Sequence, residues 1–248
     1  MFAISLYIFS SLLIVSLVSF AGALTLAINP DKLKRVTIFL VGLSAGTLLG
    51  DAFLHLLPET IKNDGRPLAV WLYLLGGVIL FFVLEKIIQW RHCHIPTSEN
   101  HPHPLGKMNL IGDGLHNFLD GIIIAGSFLV SIPIGIATTI AVIAHEIPQE
   151  ISDFGVLIHA GYSRNKALLF NFFSALAAIL GGGLGLILGA QSENFAIAIV
   201  PLAAGGFIYI ATADLIPELQ KDTHPLKSAV QLISILAGIG IMLLLKMF

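Results

Sequence analysis

The sequence predicts an all-α membrane protein of eight transmembrane helices. Three observations lead there: an apolar composition, eight apolar segments of bilayer length, and polar connections between them. Of the 248 residues, 56% are hydrophobic and 11% charged, and the mean hydropathy is +0.91. A soluble globular domain carries about 25% charged residues. The net charge of -2 and the lack of a basic tract argue against a nucleic-acid partner. One cysteine, Cys93, excludes an internal disulfide. Nothing has the size of a soluble domain, so residues 1–248 read as one transmembrane unit.

A span needs about 20 mostly apolar residues. The first candidate is 4–28. It exceeds the core of a secretory leader, about 7–15 residues, and lacks a basic start, so it reads as a span. Asn29-Pro30-Asp31 closes it. The second, 36–57, ends near Asp64-Gly65-Arg66-Pro67, and the third is 68–90. A polar connection from Arg91 to Met108 follows, with His92, Cys93, His94, His101 and His103 as potential metal ligands among Pro96, Pro102 and Pro104. Such a tract either binds metal or is merely solvated. Spans four (109–130) and five (134–159) are joined by a very short loop. Spans six (167–189), seven (195–217) and eight (228–247) complete the set, with Thr223-His224-Pro225 before the last. Gly181-Gly182-Gly183 lacks the Lys and Ser/Thr of a phosphate loop and suits close helix packing.

Lys and Arg concentrate on the cytoplasmic side of membrane proteins. Ten of them fall on the side of loops one, three, five and seven, and three on the other. With eight spans, this places both termini on the non-cytoplasmic side, and the cell membrane is the expected location.

Ala45–Glu59 in span two aligns without gaps to Ala204–Glu218 in span seven. His55 faces Asp214, and both copies end in Pro-Glu. The two spans run in opposite directions, which is the pattern of inverted repeats in transporters.

Spans four and five carry the chemistry. Asp113, His116, Asn117 and Asp120 recur at i, i+3, i+4 and i+7, one helical stripe. His145, Glu146, Gln149, Glu150 and Asp153 share one face of span five. From Met108 to Ser163 there are five acids and no Lys or Arg. A charge at bilayer depth costs roughly 2.5–3.5 kcal/mol on insertion scales. A bound cation or protons must therefore supply the missing positive charge. Imidazole, carboxylate and amide ligands suit Zn, Fe or Mn and disfavour Cu(I). Pro148 removes one backbone hydrogen bond and frees the carbonyl of Ala144, so a broken helix is expected there. A purely structural role in interhelical hydrogen bonding is the bland alternative for these residues. His145-Glu146 opens like the zinc-protease signature His-Glu-x-x-His, but Gln149 stands where the second His must be. An intramembrane metal-dependent hydrolase with another arrangement stays open, as does a proton-translocating protein.

On His116-Asn117-x-x-Asp120-Gly121 and His145-Glu146-x-Pro148-x-Glu150, together with the eight spans and the His-bearing loop, the chain resembles the ZIP (Zrt/Irt-like) family of divalent-metal transporters. The resemblance implies a three-plus-two-plus-three arrangement with spans one to three and six to eight as inverted repeats. It implies a secondary transporter, not an enzyme, without a cofactor. The transported substrate would be a divalent metal, Zn2+ first, with Fe2+, Mn2+ and Cd2+ as other candidates. His116, Asp120, His145 and Gln149 would hold the main metal, and Asn117, Glu146, Gln149 and Glu150 would form or border a second site. Asp51, His55, Asp113 and Asp214 are expected along the ion pathway, while Glu59 and Glu218 are either pathway or interfacial charges. Two departures stand out. Many members have His or Glu at the Gln149 position, and some supply a Glu from span six, where this chain offers only Asn171 and Ser174. One well-formed site is therefore the expectation. The lipid bilayer and the ion are the expected partners, and a homodimer is left open.

Overall fold

The computed structural model describes residues 2–26, 29–63, 67–90, 105–221 and 224–247. The connection with His92, Cys93, His94, His101 and His103 lies outside them. The described residues are helical, with no strand among them. Helix α1 (Phe2–Val18) tightens into a 3-10 turn over Ser19–Leu26. Helix α2 (Pro30–Asp51) continues through a π-helical stretch, Ala52–Leu56, into α3 (Leu57–Asn63). Helices α4 (Pro67–Trp90), α5 (Leu105–Val130) and α6 (Ile132–His159) follow. Next come α7 (Arg164–Ala175) and α8 (Ala177–Gln191), separated only at Leu176. Helix α9 (Glu193–Tyr209) passes through a second π-helical stretch, Ile210–Leu215, into α10 (Ile216–Gln220), and α11 (Pro225–Lys246) closes the chain.

Six helical stretches among the described residues are long and apolar enough to cross a membrane: Ala3–Ala23, Arg35–Lys62, Leu68–Lys86, Arg164–Gln191, Ile197–Gln220 and Pro225–Lys246. The other two of the eight expected spans are not among them, so apolarity by itself does not establish the count of eight. The two that do not qualify are α5 and α6, which have 26 and 28 residues and so lack nothing in length. What they lack is apolar character, because they carry the stripes of His, Asn, Gln and acids. Many of those groups are buried against other helices, Asn117, Asp120, His145, Glu146 and Glu150 among them. Polar groups at bilayer depth are tolerated facing protein, where a whole-segment hydropathy cannot see the shielding.

The helices pack in a pattern with internal symmetry. The most extensive contacts join α5 to α8, α2 to α11, α4 to α9 and α5 to α6, while α6 meets α2 and the α1 segment with its 3-10 turn. In the gapless alignment of Ala45–Glu59 with Ala204–Glu218, the π stretch Ala52–Leu56 falls on Ala211–Leu215, inside the second π stretch. The same alignment matches Gly46 to Gly205. A Cβ on Gly46 would collide with the backbone carbonyl of Ile235 on α11, and one on Gly205 with that of Leu74 on α4. Both copies thus use the same glycine to bring a partner helix to backbone contact, a common device where helices associate in lipid.

Gly205→Val should strongly reduce the folded yield and thermal midpoint in detergent, since overpacking costs about 1–3 kcal/mol or more. Gly76→Ala, whose Cβ would meet no neighbour within 4 Å, should leave both close to wild type. Fluorescence-detected size exclusion after heating reads the difference.

Candidate metal site

Helices α5 and α6 lie against each other, and their stripes meet at His116, Asp120, His145 and Glu146. His145 Nε2 lies 3.1 Å from His116 Nε2, 3.2 Å from Asp120 Oδ2 and 3.5 Å from Glu146 Oε1. His116 Nε2 is 3.6 Å from Asp120 Oδ2 and 3.5 Å from Glu146 Oε1. One ligand atom from each of the four residues lies within 4.8 Å of all the others. Tetrahedral zinc with bonds of about 2.0–2.1 Å holds its ligands about 3.3–3.4 Å apart. Five edges of this cluster fall between 3.1 and 3.6 Å. The four side chains are thus spaced to hold one tetrahedral ion. His145 Nδ1 sits 3.1 Å from the carbonyl of Ala141 one turn earlier, a contact that turns Nε2 to the cluster.

Asp113 stands one turn before His116 and gathers three donors. Asn117 Nδ2 donates to Asp113 Oδ1 at 2.9 Å, Gln149 Nε2 to the same oxygen at 3.3 Å, and the Ser174 hydroxyl to Asp113 Oδ2. Asn117 and Gln149 therefore have their amide nitrogens committed to Asp113. Glu146 stands at the fourth corner of the tetrahedral cluster, and Gln149 stands beside it. Asn171 of α7 donates to the backbone carbonyl of Glu150 at 3.2 Å.

Pro148 does not break its helix, which runs unbroken over Ile132–His159. The reason lies on α2. Ser44 Oγ is 2.5 Å from the carbonyl of Ala144, the group that Pro148 leaves without its helical donor, and 2.7 Å from its own Leu40 carbonyl. A hydroxyl from a neighbouring helix thus replaces the missing N–H.

A cavity of about 280 Å3 leads away from the cluster between α4, α5, α6 and α9. His116, Asp113, Gln149 and Asp153 line it, and so do Glu85 of α4 and Asp214, near the end of the π stretch that follows α9. The Tyr209 hydroxyl donates to the Glu85 carboxylate across that wall. Of the four cluster residues only His116 faces this cavity. Its side chain is 19% exposed, against 1% or less for Asp120, His145 and Glu146.

Asp51 and His55 lie apart from this cavity. Both are buried, with His55 Nδ1 3.3 Å from Asp51 Oδ1, and Thr138 of α6 donating to Asp51 Oδ2 at 2.9 Å. Glu218 is exposed and pairs with Lys221. Glu85, Tyr209, Ser44 and Thr138 were not foreseen. A lone Ser, Thr or Tyr in an apolar helix carries no sequence signal. Glu85 could have been noticed as an acid within a span.

With this geometry in place, the comparisons with known proteins bear on identity. Residues 2–107 and 103–246 match the family described as ZIP Zinc transporter. The chain belongs to the ZIP zinc transporter family. Among its curated relatives, the zinc transporter ZIP13 of Pongo abelii is 34% identical over 84% of this chain and 66% of its own length. ZIP13 of Danio rerio is 32% identical over 87% of this chain and 76% of its own. The zinc transporter SLC39A7 of Mus musculus is 25% identical over 88% of this chain and 64% of its own length. The chain thus spans about two thirds of these ZIP relatives. Membership agrees with a multi-pass membrane protein that handles a divalent metal.

Ser44→Ala should cost about 1–3 kcal/mol, the usual penalty for a buried unsatisfied acceptor. Adding Pro148→Ala restores an N–H for the Ala144 carbonyl and should recover most of the loss. Denaturant titration of the single and double variants measures this coupling, and simple additivity would show that Ser44 does not serve Ala144.

Proposed function

We propose that the chain is a secondary transporter that carries divalent metal ions, Zn2+ first, across the membrane towards the cytoplasm. The observation that carries this is the spacing of His116, Asp120, His145 and Glu146, which fits one tetrahedral ion. Zinc transport in the curated ZIP relatives supports the choice of ion. Two imidazoles and two carboxylates also suit Fe2+, Mn2+ and Cd2+.

Alternating access is the mechanism this arrangement serves. One path to the cluster is a cavity, and it passes His116. On the opposite flank Asp51, His55 and Thr138 are packed away from solvent. By the Lys and Arg count, the cavity end with Glu85, Asp153 and Asp214 lies towards the cytoplasm. On this reading the state is open inward and closed outward. His116, the ligand at the cavity wall, is the first to let the ion go, and Asp113, Asp153 and Asp214 continue the path. Asp51 and His55 receive the ion from the other side.

The three-plus-two-plus-three arrangement of eight spans, with both termini outside, is the architecture for this. In it α2 and α9 exchange places, as do α4 and α11, α5 and α6, and α1 and the α7–α8 pair. The α2–α11 and α4–α9 contacts interchange under that operation, and so do α5–α8 and α6–α1. The matched π stretches support it further. A hydrolytic role is less well served. A catalytic zinc keeps one position open for water, whereas four protein side chains here close the tetrahedron.

His116→Ala and Asp120→Ala should each lower zinc uptake into proteoliposomes to near background while leaving insertion intact; normal uptake by both would refute the site. Gln149→His should alter the order of metals in a competition assay, because it adds an imidazole beside the cluster. A membrane-impermeant thiol reagent should leave Cys93 unmodified in intact cells, and labelling would reverse the orientation.

A further inference from the structure

Two neighbouring threonines on α6 spend their hydroxyls differently. Thr139 donates to the carbonyl of Gly135 on its own helix at 2.7 Å, as Thr60 does to Leu56 and Thr212 to Ile208. The carbonyl four residues back is the usual acceptor for a hydroxyl in a helix. Thr138 donates across to α2 instead, to Asp51 Oδ2 at 2.9 Å. A hydroxyl has one hydrogen to give, so this bond takes all of it. Both partners are 0% exposed.

Asp51 depends on that bond. His55 Nδ1 lies 3.3 Å from Asp51 Oδ1 without forming a hydrogen bond, and His55 Nε2 is buried without one as well. Thr138 is therefore the one hydrogen-bond donor to Asp51 among the described residues. Its place on the helix gives the bond a mechanical meaning. Thr138 stands seven residues before His145, on the same face of α6 and about 10 Å along its axis. Asp51 ends α2, on the side of the cluster that the Lys and Arg count places outside. The bond thus ties the helix that bears His145 and Glu146 to α2, on the flank opposite the cavity.

We propose that Thr138 is a positioning residue for transport: through Asp51 its hydroxyl latches α6 to α2 and holds the outer path shut. This rests on the alternating-access reading above. The latch can be released cheaply, because Thr138 has the Ile134 carbonyl of its own helix to turn to, as Thr139 turns to Gly135. Ser44, the other hydroxyl between α2 and α6, serves the Ala144 carbonyl that Pro148 leaves without a helical donor, so that bond has no such substitute on α6.

The test uses the full-length protein in right-side-out vesicles with chelator present, so that no ion is needed to read it. Cys93→Ser with Ala141→Cys gives a parent with one thiol, at a buried position one turn from Thr138 towards His145. Thr138→Val keeps the shape and removes the donor. It should raise the rate at which a membrane-impermeant thiol reagent labels that position from outside by about tenfold or more, the shift expected for losing a hydrogen bond to a charged group. Thr138→Ser keeps the hydroxyl and should label like the parent. Should Thr138→Val fail to insert, Asp51→Asn weakens the same bond from the other side and should raise outside labelling too. No rise in the variant that inserts, or an equal rise in Thr138→Ser, would overturn the latch. So would an equal rise from the cytoplasmic side in inverted vesicles, which marks general loosening. Zinc uptake by the wild type is measured alongside, and its absence would overturn the carrier reading itself.

Discussion

Carboxylates without bases govern this structure. Asp113, Asp120, Glu146 and Glu150 are buried in the packing of α5 against α6, in a stretch of chain with no Lys or Arg. That stretch supplies no basic side chain, so neutral donors and histidines must do what they can. The Asn117 and Gln149 amides and the Ser174 hydroxyl turn to Asp113, and His116 and His145 turn to Asp120 and Glu146. Those arrangements are incomplete, since Glu150 stays without a donor. For the carrier proposed above, an ion completing the site would offset the cost of shedding its water, at a cluster already shaped for it.

The rest of the fold protects this pair of helices. Helices α8, α2, α1 and the 3-10 turn cover α5 and α6, which is why helices too polar for lipid are tolerated at bilayer depth. The Ser44 contact shows how closely the cover is matched. One hydroxyl on α2 takes over the carbonyl exposed by Pro148, and the ligand-bearing turn around His145 stays in register. A proline so near the site can thus lower the local helix strength without displacing the ligands.

Much of this was legible in the sequence. The i, i+3, i+4, i+7 spacing on span four and the matching face on span five were sufficient to bring His116, Asp120, His145 and Glu146 together, because helical periodicity is rigid over two turns. The continuity of α6 through Pro148 was not legible, since it depends on Ser44, about a hundred residues away. The placement of Gln149 beside Asp113 was equally hidden. An amide can serve as ligand or as donor, and only its neighbours decide which. Apolarity alone picks out six stretches and passes over α5 and α6, for a physical reason. Hydropathy scores a helix against lipid, and α5 and α6 face protein.

The matched π stretches have a bearing on ancestry. A π turn holds one more residue than the α turn it replaces, so each is a local excess of chain. Ala52–Leu56 and Ile210–Leu215 carry that excess at aligned positions, in segments that otherwise share a Pro-Glu ending. A single insertion inherited by both segments would account for the match. The irregularity would then be older than the division into two copies. His55 and Asp214, which occupy equivalent places in it, would then descend from one residue.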